Sequence, residues 1–123
     1  MSSLIEGNID KALGFGVMEI GGLKINLSLT TAKDLITYQT LPVKYLTSKV
    51  PTTEESMALQ EAYRDYFVTY IFNKDNSLDK EKVELFVAKY LSKLIEEFPI
   101  AAGIRTREEM DEIKKNISDK QKN

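Results

Sequence analysis

Three observations predict a mainly α-helical protein with an N-terminal β-hairpin. Apolar and polar residues alternate from Leu23 to Leu29, directly after a Gly21-Gly22 pair. Two later stretches, 53–73 and 78–98, carry apolar residues at helical spacing. The connection between them, NKDNSLD, is short enough to make two long helices antiparallel neighbours. A short C-terminal helix completes this layout, and α+β is the alternative class. The length of 123 residues predicts one domain over 1–123.

The first segment, 1–14, carries Leu4, Ile5, Ile9, Ala12 and Leu13 at loosely helical steps, with Ser3 and Glu6 placed as a capping box. It reads as a short helix, as an arm that orders against a neighbour, or as a frayed terminus. Residues 15–20 are expected to fold back on 23–28, because two glycines supply the positive φ angles of a two-residue turn. Ile20 then faces Leu23, Glu19 faces Lys24 and Met18 faces Ile25, with the strand alternation running on through Leu27 and Leu29.

Thr30 and Thr31 open a short helix carrying Leu35, Ile36 and Tyr38, which Pro42 ends or soon follows. The stretch LPVKYLTSKVPTT reads as a connection or one loose helical turn. Thr52 and Glu55 make a capping box for the first long helix, whose stripe is Leu59, Ala62, Tyr63, Tyr66, Phe67, Tyr70 and Ile71. The second long helix repeats the pattern through Val83, Phe86, Val87, Tyr90, Leu91, Leu94, Ile95 and Phe98 until Pro99. The facing stripes are expected to form the core, with Phe67, Phe86 and Leu91 in it. Thr106 and Glu109 cap a last helix with a thin stripe of Met110, Ile113 and Ile117, and residues 114–123 read as a frayed or disordered tail.

Composition narrows the function classes. Hydrophobic residues at 42% and charged residues at 29% describe a folded globular chain. Seventeen Lys and Arg against 19 Asp and Glu leave a net charge of −2, with no field to collect nucleic acid. No window approaches the ~20 apolar residues of a membrane span, and the first residues lack a secretory pattern, so neither a membrane nor an export route is expected. A cytoplasmic location is the expectation.

The chain has neither His nor Cys. It therefore lacks the side chain best suited to proton transfer near neutral pH and the thiolate nucleophile, along with the usual zinc ligands. No enzymatic activity and no cofactor are expected.

The loop from Asn73 to Asp79, with Glu84 beyond it, places oxygen side chains at several calcium-loop positions. It has Leu78 where the sharp turn needs glycine and Lys80 where an apolar residue belongs. Turn formation and helix capping explain it better, so no metal site is assigned. Gly14-Phe15-Gly16 and Gly21-Gly22 lack the spacing of a phosphate loop.

What remains is protein binding. Candidate interface residues are Met110, Ile113 and Ile117 on the thin last stripe, Leu4, Ile5 and Ile9 on the N-terminal segment, and Tyr63, Tyr66 and Tyr70 on the first long helix. The last stripe docks either on its own domain or on another chain. For the tyrosines, core packing with hydroxyls reaching the surface is the competing explanation.

The strand pair VMEIGGLKINLSLTTAKDL, a short helix, two long amphipathic helices and the charged end TREEMDEIKKNISDKQKN together resemble the tail assembly chaperones of long-tailed bacteriophages and prophage elements. The resemblance runs from about Phe15 onward and is one of layout, with no diagnostic motif. It implies a protein that coats the phage tape measure protein, keeps its apolar helices from aggregating and recruits the tail tube protein. It further implies self-association, absence from the mature virion and a longer frameshifted product. A small regulatory inhibitor or antitoxin-like protein-binding module is the alternative.

Overall fold

The computed structural model describes the backbone of residues 5–121 and the side chains of residues 5–9 and 11–115. The elements are α1 (Ile9–Leu13), β1 (Val17–Ile20), β2 (Leu23–Asn26), a 3-10 turn (Leu27–Leu29), α2 (Ala32–Tyr45), α3 (Thr53–Lys74), α4 (Lys80–Ala101) and α5 (Arg107–Gln121). The class is the one predicted: mainly helical, with an N-terminal antiparallel hairpin. The chain divides into two units, one formed by the segments up to Ser28 and from Glu96 onward, the other by Leu29–Ile95.

In the first unit, β1 and β2 pair in the predicted register, Ile20 to Leu23, Glu19 to Lys24 and Met18 to Ile25. Gly21 and Gly22 both take positive φ, 59° and 82°, the backbone of a type I′ turn whose twist matches the strands. Met18 and Ile20 are buried on one face, and Glu19 pairs with Lys24 at 3.6 Å on the other. The strand does not continue to Leu29 as expected. The Asn26 side chain accepts from the Ser28 N–H, and the chain turns into the 3-10 segment that seats Leu27 in the interior.

The C-terminal end of α4 closes with Gly103 at φ 75°. The Ile104 N–H reaches the Pro99 carbonyl at 2.8 Å and the Gly103 N–H reaches that of Ile100 at 3.1 Å, the paired bonds of a Schellman cap. The N-terminal segment is tied to this cap. Gly16 donates to the Ala101 carbonyl at 2.8 Å, and a Cβ at Gly103 would stand 2.8 Å from the Leu13 carbonyl oxygen. Only glycine satisfies both the φ angle and that approach.

In the second unit, α2 opens with a capping box between Thr31 and Asp34 and continues past Pro42 to Tyr45. Proline was expected to stop it. Pro42 instead lies in the last turn, where its missing N–H costs a single bond, to the Tyr38 carbonyl. α3 opens with the predicted box of Thr52 and Glu55. α2 and α3 approach each other closely along their backbones. The buried side chains here are Tyr38, Leu41, Tyr66, Phe67, Tyr70, Val83, Val87 and Leu94.

Phe86 and Leu91, expected in this core, are only half-buried. Phe86 instead packs against Tyr90, the rings tilted at 45° with centroids 5.1 Å apart. At Tyr90 α4 leaves helical geometry, with φ −111° and ψ 21°. The helix then runs through Pro99 to Ala101, beyond its predicted end. Pro99 cannot donate to the Ile95 carbonyl, and the Tyr38 hydroxyl reaches that oxygen at 3.5 Å.

Candidate protein-binding surfaces

The tyrosine row of α3 shows how side-chain chemistry aligns two helices. Tyr38 of α2 lies 5.4 Å from the Tyr63 ring, 5.5 Å from Tyr66 and 6.0 Å from Phe67, tilted in each case. Such tilted contacts add to area burial and favour one relative rotation of the helices. The hydroxyls choose the register. Tyr66 donates to the Asp34 carbonyl at 2.9 Å, and Tyr70 shares a 2.6 Å hydrogen bond with the Thr30 hydroxyl. Burial pushes both phenols above their ordinary range.

Asp34 works at the same point. Its carboxylate accepts from the Thr31 N–H at 2.9 Å and from Lys74 Nζ at 2.8 Å. Burial alone would raise this carboxyl, but the bonds from Lys74 and Thr31 outweigh it and hold the group below its usual value. The start of α2 is thereby fastened to the end of α3. The α2–α3 connection is fastened similarly: Glu55 Oε2 accepts from the N–H groups of Thr47 and Ser48, and Oε1 accepts from that of Thr52. The Ser48 side chain and these N–H groups hold the Glu55 carboxyl well below the usual carboxylate range.

The interface residues predicted from sequence therefore fall into different environments. Tyr66 and Tyr70 are buried, Tyr70 to 3% exposure, and Tyr63 is half-buried. In this fold they serve the α2 seam and present no open platform. Met110 is 9% exposed and Ile113 half-buried. α5 docks on the α4 end of its own unit, where Arg107 grips Glu97 with two bonds of 2.9 and 2.7 Å and Lys114 meets Glu96 at 2.9 Å. This resolves the choice for Met110 in favour of its own chain. Leu4 and the side chain of Ile117 lie outside the described residues.

The N-terminal residues differ. Ile5 is exposed, Ile9 is 59% exposed and Leu13 45%. Ile9 and Leu13 stand one turn apart on α1, so they share a face. Leu13 is not among the residues that the sequence pattern marks for this surface.

A groove of about 770 Å³ between α3 and α4 also escaped it. Val68, Leu85 and Ala88 supply its apolar part, with Leu85 71% exposed, and Arg64, Asp65, Lys80, Glu81 and Glu84 its charged part. The signal was present in the sequence: Leu85 lies off the Val83, Phe86, Val87 stripe and has no core position to fill.

The loop weighed for calcium uses its carboxylates locally. Asp75 accepts from the Ser77 N–H at 3.2 Å, and Asp79 caps α4 through the Glu81 N–H at 3.0 Å. Among the described residues no helix is long and apolar enough to cross a membrane. No family model, curated protein or solved structure matches this chain.

Proposed function

We propose that this chain is a non-catalytic, cytoplasmic protein-binding factor of the tail assembly chaperone kind. It would bind the phage tape measure protein, shield its apolar helices during assembly, bring in the tail tube protein, self-associate and leave before the virion matures. The observation that carries the reading is the exposed apolar face of α1, Ile9 with Leu13, beside the exposed Ile5. Exposed apolar side chains grouped on one short segment suit capture of another apolar helix. The absence of His and Cys from the sequence supports binding over catalysis.

Co-expression with a tape measure protein tests this directly. The expected result is that the partner, insoluble alone, becomes soluble and co-purifies with the chain. An Ile9→Asp, Leu13→Asp double variant should lose that effect while keeping its stability within about 0.5 kcal/mol, as exposed positions allow. A partner that stays insoluble beside a strictly monomeric chain in light scattering would overturn the proposal. Stoichiometric inhibition of a folded enzyme would transfer the same surfaces to the inhibitor reading.

A further inference from the structure

We draw no further inference here: the strongest candidate, the groove between α3 and α4 around Val68, Leu85 and Ala88, mixes acidic and basic side chains along its walls, and nothing in the structure shows what covers it.

Discussion

In the Leu29–Ile95 unit, the groups that set α2 on α3 are side chains: two tyrosine hydroxyls and the pair of Lys74 with Asp34. In the unit containing the hairpin and α5, ion pairs fasten α5 to α4, but the N-terminal segment is held through backbone atoms at glycines, with Gly16 bonded to Ala101 and Gly103 lying against Leu13. The first arrangement tolerates changes of backbone shape but is sensitive to the loss of single functional groups. The glycine contact has no polar side chain to lose and fails when a Cβ is added. Two kinds of substitution should therefore separate the regions.

The largest effect is expected at Phe67, which is fully buried in the seam. Phe67→Ala should cost about 3–5 kcal/mol in chemical denaturation, against roughly half of that for the half-buried Phe86→Ala. Equal losses would show that the core is centred where the sequence first suggested. Next comes Gly103→Ala, which forces a side chain into positive φ and against a carbonyl oxygen. A loss of about 2–3 kcal/mol is expected, with hydrogen-exchange protection falling first at Gly16 and in the Gly103 cap. An unchanged melt would mean that the segment is not held by that approach.

Tyr70→Phe removes one hydroxyl and leaves the Thr30 oxygen to solvent, for about 0.5–1.5 kcal/mol. The same substitution at the half-buried Tyr45, Tyr63 and Tyr90 should do less. The smallest effect is a pH dependence. Asp34 has a depressed carboxyl, so its contribution is complete above the ordinary carboxylate value of 3.8 and is lost as the pH falls below it. Melting temperature should thus decline on acidification, and Asp34→Asn should make that decline shallower. Glu55→Gln should flatten the remainder, because the Glu55 carboxyl is lowered in the same direction. A decline of the same slope in both variants would remove these carboxylates from the account.

Much of the fold was legible because local chemistry decided it. The Gly21-Gly22 turn and period-two alternation fix the hairpin register without help from distant residues. The boxes at Thr52 and Glu55 and at Thr106 and Glu109 likewise locate helix starts. Pro42 and Pro99 misled because a proline near a helix end costs one bond, and only the tertiary structure shows that the helix continues. The candidate site was less legible for the same reason. A stripe as thin as Met110, Ile113 and Ile117 has the same pattern whether it docks at home or abroad; for Met110, docking at home goes with the pairing of α5 to Glu96 and Glu97, residues ten or more positions away. Tyr66 and Tyr70 were ambiguous because a hydroxyl that reaches water and one that reaches Asp34 or Thr30 look alike in sequence.

Tyr38 stands at both proline gaps: its own carbonyl lost a donor to Pro42, and its hydroxyl serves the carbonyl that Pro99 left open. Evolution would then treat positions 38 and 99 as a linked pair. In a lineage where Pro99 gives way to a residue with an N–H, the helix recovers its own bond and Phe becomes acceptable at 38. Where the proline persists, the hydroxyl should persist with it. Drift at one position would set the constraint at the other, although 60 residues of chain lie between them.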